Sequence, residues 1–115
     1  MPVQLTILGS GSSGNCAYLE TDDTRILIDA GFSGRQIRER LATIHRTPES
    51  LTGILVTHEH TDHTQGLGVL CARLQIPIYC NRFTKEAIEA QFRKELRTRH
   101  GVEFNHLYTI TNMPV

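Results

Sequence analysis

A dense group of potential metal ligands constrains this chain more than any other feature of its sequence. His58, His60, Asp62 and His63 lie within six residues, directly after the apolar run 53–57. That run is too short for a helix and is rich in β-branched residues, so it predicts a buried strand. Open α/β sheets carry their functional groups at the carboxyl ends of strands. The four ligands are therefore expected on a loop at such a strand end.

The spacing of these ligands predicts two pairs. In an extended loop, His58 and His60 project to the same side and can bind one ion. Asp62 and His63 are adjacent and diverge, so they are expected to face a second ion beside the first. Imidazole nitrogen with carboxylate oxygen suits Zn²⁺, with iron or manganese as alternatives. The other interpretation, a polar loop with chance histidines, does not explain three histidines and an aspartate in this register.

The start of the chain predicts a β-meander and no nucleotide cofactor. Val3, Leu5 and Ile7 alternate with polar residues, which predicts a half-buried strand. The following residues 9–14 match G-x-G-x-x-G, a pattern that suggests a dinucleotide site when it stands between a strand and a helix. A second strand, and not a helix, is predicted next, and a third strand ends at Asp29.

The remainder of the chain predicts alternating helices and strands. A capping box at Ser33 begins a helix over about residues 34–45. A short helix is expected at 67–74, a strand at 76–80 and a helix at about 83–100 that ends before Gly101, followed by irregular or strand structure. A strand–helix–strand order favours parallel pairing, so the fold class is α/β (α+β).

These motifs together resemble those of the metallo-β-lactamase fold hydrolases. The sequence H-x-H-x-D-H at 58–63 is similar to the signature of that superfamily. Residues 5–15 resemble its first strand and turn, and residues 26–31 resemble its strand ending in D-x-G. The Gly-Ser-rich opening and residues 30–34 look most like the WalJ (YycJ) branch, whose members are associated with exonuclease activity on DNA. The resemblance implies a four-layer αββα sandwich, with this chain supplying roughly the first half.

The resemblance also implies roles for the motif residues. Two divalent ions are expected, with zinc favoured and manganese or iron as alternatives. His58 and His60 are expected to hold the first ion, and Asp62 and His63 the second. Asp62 is also expected to orient the nucleophile. These roles stay open to test.

Outside the motif, a carboxylate is assigned from the resemblance, and a loop is assigned because its glycines permit φ > 0 and have no side chain. Asp29 is expected to be a carboxylate that orients a ligand histidine, the alternative being a simple turn residue. A loop close to the substrate is expected to contain Ser10, Gly11 and Ser12.

The chain is expected to be the N-terminal portion of one metallo-β-lactamase-like domain that continues past Val115. The later ligands of the family, a third histidine for the first ion, a bridging aspartate and a final histidine, are expected beyond that point. The acid that protonates the leaving group is expected there as well. His100 and His106 are not spaced as part of the motif, so neither is expected to bind metal.

Three functions are compatible with the motif. The first is a phosphodiesterase or exonuclease with DNA as its substrate, which the WalJ resemblance favours. The second is a thioester hydrolase like glyoxalase II, or a lactam hydrolase. The third is a truncated module that is inactive on its own.

Composition bears on partners and location. The 12 basic and 12 acidic residues balance, so net charge adds no support for binding to nucleic acid or membranes. No apolar stretch is as long as a membrane span, and the N-terminus lacks the pattern of a signal peptide. The three cysteines, Cys16, Cys71 and Cys80, form no C-x-x-C pair and suit free thiols. The cytoplasm is therefore the expected location.

Overall fold

The architecture is a single mixed β-sheet with helices packed against one of its faces. In this computed structural model residues 2–99 and 110–112 are described, with side chains described for residues 2–94. Within these residues the sheet has six strands in sequential order, so neighbours along the chain are neighbours in space. The strands are β1 (Gln4–Gly9), β2 (Cys16–Glu20), β3 (Arg25–Ile28), β4 (Gly53–Leu55), β5 (Ile78–Cys80) and β6 (Ile110–Asn112).

The pairing of the strands changes from antiparallel to parallel at β3. Strands β1, β2 and β3 form an antiparallel meander, as the sequence predicts. Strands β3 to β6 are all parallel, and a connection that contains at least one helix joins each pair, as parallel pairing requires. The predicted strand–helix–strand unit with parallel pairing is confirmed for β4 and β5.

Four α-helices and one short 3-10 turn lie between the strands of the described chain. The helices are α1 (Gly34–Ala42), α2 (Thr61–Thr64), α3 (Leu67–Leu74) and α4 (Arg82–Arg99), and the 3-10 turn is Pro48–Ser50. The predicted capping box starts α1, since the Gln36 amide donates to Ser33 Oγ at 3.2 Å and the Ser33 amide donates to Gln36 Oε1 at 3.1 Å. The helix ends three residues before the predicted limit. The predicted cap at Gly101 and the segment 102–109 lie outside the described residues.

One row of side chains across the sheet forms the centre of the core. Tyr18, Leu27, Ile54 and Ile78 stand opposite one another in register on β2 to β5, and each is at most 1 % exposed. The helices contribute buried residues to the same cluster, among them Ile37, Leu41, Leu67, Ile88 and Phe92. The helices therefore cover this face of the sheet from β2 to β5.

The three cysteines belong to this core as small buried residues. All are free thiols, and no disulfide joins them. Burial raises the pKa of the Cys16 and Cys71 thiols to about 12, and the pKa of Cys80 also rises because of desolvation. A thiol that stays protonated is a poor nucleophile and a poor metal ligand, so these residues pack and do not react.

In the described part of the chain, no helix has both the length and the apolar character that crossing a membrane requires.

The opposite face of the sheet carries apolar side chains that helices do not cover. The neighbouring row consists of Ile7, Ala17, Ile28, Leu55 and Tyr79, which face one another across β1 to β5. None of these five residues is buried. The sheet thus presents apolar residues on both faces but buries only one of them.

This arrangement corrects the sequence-based expectation for β1. Val3, Leu5 and Ile7 were predicted to form the buried side of a half-buried strand, yet they are 62, 59 and 62 % exposed. The alternation itself is present, but it directs these side chains to the face that the helices leave open. Leu8, which follows them on β1, lies in the core at 8 % exposure.

A partly buried carboxylate ties the end of β2 to the segment after α1. Glu20 accepts hydrogen bonds from Arg46 Nε and Nη2 at 2.7 and 3.0 Å, and from Tyr18 Oη at 2.6 Å. Arg25 Nε on the neighbouring strand lies 3.3 Å away. The Arg46 hydrogen bonds, followed by the one from Tyr18, lower the pKa of Glu20 to about 2.

This depressed pKa predicts how stability depends on pH. The charged form of Glu20 is favoured in the folded chain, so its contribution is complete above the ordinary pKa of 4.5 and is lost as the pH falls towards 2. Glu20→Gln is therefore expected to lower the thermal midpoint at pH 7, with a difference from the native chain that shrinks between about pH 4.5 and 2. Thermal unfolding followed by circular dichroism measures this.

A matched variant distinguishes this effect from a general loss of surface charge. Glu39 pairs with Arg35 at 3.1 Å, but both side chains are mostly exposed, at 63 and 87 %. Such exposed pairs contribute little to stability, so Glu39→Gln should leave the midpoint almost unchanged at every pH. An equal destabilisation by Glu20→Gln at pH 7 and pH 3 would contradict the role given to Glu20.

Candidate metal centre

The predicted ligands lie where β4 ends and the chain turns into α2. Strand β4 ends at Leu55, two residues before the predicted limit, and His58 stands on the loop that follows. His60 is the N-cap of α2, so Asp62 and His63 lie in its first turn. A carboxylate at this position is favoured by the partial positive charge of the helix start. The motif therefore combines a loop with a helical turn, and is not the continuous extended loop that the sequence suggested.

Asp29 is buried beneath the motif and binds one of its histidines. The residue is 5 % exposed and its backbone is left-handed, with φ 64°. The carboxylate accepts hydrogen bonds from the Thr57 amide at 2.7 Å and from Thr57 Oγ1 at 2.6 Å. It also lies 2.8 Å from His63 Nδ1. If the Asp29 carboxylate only accepts in this contact, His63 Nδ1 is the donor and Nε2 is the ring nitrogen left for another partner.

The second predicted pair converges more than the sequence suggested. Adjacent residues were expected to diverge, but the helical turn places His63 Nε2 3.6 Å from Asp62 Oδ2. Ligand bonds of about 2.0–2.2 Å at a tetrahedral angle separate two donors by about 3.4 Å. The two atoms are therefore spaced to bind one ion together.

The first predicted pair is exposed and more widely spaced. The rings of His58 and His60 have centroids 6.5 Å apart and are nearly parallel, at 28°. The His58 ring is closer to that of His63, at 4.7 Å. The His58 Nδ1 atom lies 3.0 Å from Thr57 Oγ1, the hydroxyl that also donates to Asp29. One hydrogen-bonded chain therefore runs from Asp29 through Thr57 to His58.

Each of the two predicted pairs offers two donor groups of types that divalent ions accept. Neutral imidazole and carboxylate are ligands that zinc, iron and manganese share. Across residues 2–94 no group of three or more histidine, cysteine, aspartate or glutamate side chains is close enough to hold an ion. A closed structural zinc site would need four protein ligands and a catalytic one three. The described residues alone therefore do not complete such a site.

Three segments of backbone meet directly at the motif. The Asn15 amide donates to the Asp62 carbonyl at 2.8 Å, and the Gly31 amide donates to the Asn15 carbonyl at 2.9 Å. The Ala30 amide donates to the His63 carbonyl at 2.8 Å. A Cβ atom at Gly31 would collide with the Asp62 carbonyl and the Asn15 amide. This glycine therefore permits the loops after β1 and β3 to lie against the first turn of α2.

The glycine-rich loop touches the motif through its base and not through its tip. The predicted substrate-loop residues Ser10, Gly11 and Ser12 are all exposed. Asn15, which sequence reasoning missed, lies at the base and donates from its side chain to Asp62. The only available signal was its position directly after the glycine run, which is also typical of an ordinary turn residue.

The sequence pattern of a known superfamily extends over nearly all of this chain. A family model described as the metallo-beta-lactamase superfamily matches residues 9–114. The chain belongs to this superfamily.

Similar proteins place the chain more closely. It is 51 % identical over 84 residues to exodeoxyribonuclease WalJ of Streptococcus pneumoniae, covering 73 % of this chain and 31 % of that protein. It is 42 % identical over 89 residues to exodeoxyribonuclease YycJ of Bacillus anthracis, covering 77 and 34 %. The chain thus spans about a third of the length of these curated relatives.

Solved structures agree on the fold. The human short-form tRNase Z superposes with a TM-score of 0.67 at 22 % identity, over 96 % of this chain and 45 % of that one. These findings confirm the predicted resemblance to the metallo-β-lactamase superfamily and its WalJ (YycJ) branch, and the predicted α/β fold. Membership of the superfamily implies divalent metal ions, with which the histidine and aspartate donors are consistent.

The close approach at Gly31 gives a stability prediction. Gly31→Ala should lower the free energy of unfolding by about 1–3 kcal/mol or more, because the new methyl group meets backbone atoms that cannot rotate away. Chemical denaturation of the two proteins measures the difference.

Gly34 provides the matched control. A Cβ there would meet Val69 Cγ1 at 3.2 Å, the end of a side chain that can adjust, and alanine suits the first turn of α1. Gly34→Ala should therefore be close to neutral. A Gly31→Ala variant as stable as Gly34→Ala would show that the three segments do not need this contact.

Proposed function

We propose that residues 1–115 are the N-terminal portion of a metallo-β-lactamase-like domain that hydrolyses phosphodiester bonds of DNA as an exonuclease. The observation that carries this proposal is the 51 % identity with a protein named exodeoxyribonuclease. A stretch of 84 residues in a chain of 115 must include residues 32–84. The similarity therefore includes the whole metal motif and is not confined to the scaffold.

The geometry supports the second of the two metal-binding pairs that the sequence predicts, and the first pair is proposed from the motif. His58 and His60 are assigned to one ion, and Asp62 and His63 to the other, since His63 Nε2 and Asp62 Oδ2 lie 3.6 Å apart. Such ions provide a hydroxide nucleophile near neutral pH and offset charge on a phosphoryl oxygen. Zinc is the proposed metal, with manganese and iron as the alternatives that metal analysis distinguishes.

The roles of the surrounding residues follow from their contacts. Asp29 holds the Nδ1 proton of His63 and thereby keeps Nε2 available as a donor. Asp62, at the edge of the same site, is assigned the orientation of the attacking water as well as metal binding. The exposed tip formed by Ser10, Gly11 and Ser12 is assigned to substrate contact, because its base is fixed beside Asp62.

Two observations support a domain larger than the described residues. Each proposed ion has two ligands here, and no third ligand is close among residues 2–94. The apolar row containing Ile28 and Leu55 also lies on an uncovered sheet face.

We assign the cytoplasm as the location, because three buried free thiols suit a reducing compartment.

The decisive experiment compares substrate classes with the protein produced from the whole gene. End-labelled single-stranded and double-stranded DNA should lose nucleotides from an end, and a chelator should stop the reaction until zinc or manganese is restored. A glutathione thioester and a β-lactam should stay intact. Cleavage of the thioester without cleavage of DNA would overturn the proposal, and cleavage of neither substrate would favour an inactive module.

Removal of one ligand tests the site assignment. His60→Ala in the same protein is expected to reduce DNA hydrolysis by at least about 100-fold and to lower the bound metal per chain, since even residues that only support a ligand affect metal affinity by about 10–100-fold. Metal content by mass spectrometry and the rate of nucleotide release are the two readouts.

His45 is a suitable control for loss of a histidine. It is the one histidine outside the motif within residues 2–94, and its backbone is left-handed with φ 58°. His45→Asn keeps a residue that tolerates this conformation, so both metal content and activity should stay at the native level. Full activity in His60→Ala would sink the ligand assignment.

A further inference from the structure

We infer that Asn15 is a positioning residue that fixes the carboxylate of Asp62 for metal binding. The inference rests on the proposed function in one respect, since it takes Asp62 to be a ligand. It concerns a residue of the glycine-rich loop that lies 47 positions away in the sequence. It assigns that loop a second task besides contact with the substrate.

The side-chain amide of Asn15 connects Asp62 to the loop. Its Nδ2 lies 3.2 Å from Asp62 Oδ2 and 3.1 Å from the Asp62 carbonyl. The same Nδ2 lies 2.8 Å from the Gly11 carbonyl, and the Asn15 Oδ1 accepts from the Gly11 amide at 3.1 Å. The donor group of Asn15 is therefore shared between the loop and the motif, and its acceptor is used by the loop.

The backbone of Asn15 prevents the side chain from moving away. Its amide donates to the Asp62 carbonyl at 2.8 Å, and its carbonyl accepts from the Gly31 amide at 2.9 Å. Asn15 thus makes contacts with Asp62 through both its main chain and its side chain. A residue held in this way has little freedom to direct its amide anywhere else.

The effect on Asp62 is to select an orientation of its carboxylate. The terminal torsion of an aspartate is broad, so the backbone alone does not decide where its two oxygens point. Donation from Asn15 places Oδ2, and that same oxygen lies 3.6 Å from His63 Nε2. His63 is in turn fixed by Asp29 through Nδ1 at 2.8 Å. Each member of the second pair therefore has its own supporting residue.

The structure also allows a simpler role, in which Asn15 only closes its loop. Its two contacts with Gly11 span four residues and would stabilise a turn without any metal. The two roles predict different results for the two ions. Loss of a positioning contact lowers the affinity for the ion that Asp62 binds. Loss of loop closure lowers the stability of the fold and does not affect the affinity for one ion more than for the other.

The test is a calorimetric titration of Zn²⁺ into the metal-free protein produced from the whole gene. Asn15→Ala is expected to lower the affinity for one of the two ions by about 10–100-fold and to leave the affinity for the other at its native value. The rate of DNA hydrolysis should fall in a low concentration of Zn²⁺ and recover when the concentration is raised by the same factor.

Asn81 offers a control for the structural effect. Its Oδ1 accepts from the Thr84 amide at 2.9 Å and caps the start of α4. Asn81→Ala removes this cap and should lower the thermal midpoint, but both zinc affinities should stay native. If Asn15→Ala does not fold, Asn15→Ser replaces it, because a hydroxyl can still bond the loop but is one bond shorter towards Asp62.

The outcomes separate this inference from the proposed function. Native affinity for both ions in a folded Asn15 variant, or an equal loss for both, would overturn the positioning role. The zinc titration contains no DNA, so its result does not depend on nuclease activity. A native protein that binds two zinc ions but leaves DNA intact would overturn the proposed function and not this inference. Selective loss of one ion, with recovery of activity in excess zinc, would support the inference.

Discussion

The buried carboxylate of Asp29 is the contact on which the order of the metal motif depends. It stands at the end of β3, yet it binds the Thr57 amide, the Thr57 hydroxyl and His63 Nδ1. Hydrogen bonds to a charged group each contribute about 1.5–3 kcal/mol, and a buried carboxylate without them would be strongly unfavourable. The backbone of Asp29 is left-handed, a conformation that aspartate adopts more readily than most residues.

Sheet topology explains why these residues meet. Strands β3 and β4 are parallel and adjacent, so Ile28 pairs with Leu55 and both strands end at the same edge. The Asp29 amide donates to the Leu55 carbonyl at 2.7 Å, which extends that pairing by one more step. The residues that follow the two strands must therefore lie close together. The Asp29 carboxylate and the loop with Thr57 are therefore neighbours because of register, before any side-chain preference acts.

Much of this arrangement could be predicted from local patterns. The capping box at Ser33, the meander and the ligand-bearing strand end each depend on residues close in sequence, where propensity and spacing are informative. The start of α2 at Thr61 was less predictable, because alternation of polar residues suits both a loop and a helical first turn. The approach of Asp62 Oδ2 to His63 Nε2 follows from that turn, so it was missed as well.

The contacts of Asn15 were beyond sequence reasoning for a different reason. They join residues 47 positions apart, and they exist only because Gly31 leaves room between two loops. No local pattern specifies such a contact, since asparagine after glycine is typical of turns in general. The histidines and aspartate of the motif could thus be singled out from the sequence, whereas the contacts of Asn15 with them depend on tertiary packing.

The uncovered sheet face was misjudged because alternation identifies two faces without saying which one the helices cover. Strands β3 and β4 are apolar on both sides, with Leu27 and Ile54 facing the helices and Ile28 and Leu55 facing away. Strands that are apolar in every position are typical of sheets covered on both faces, whereas a sheet exposed to water alternates with polar residues. The composition of these strands therefore suits an inner layer of a sandwich. A second covering layer and further ligands would both be required by the domain proposed here.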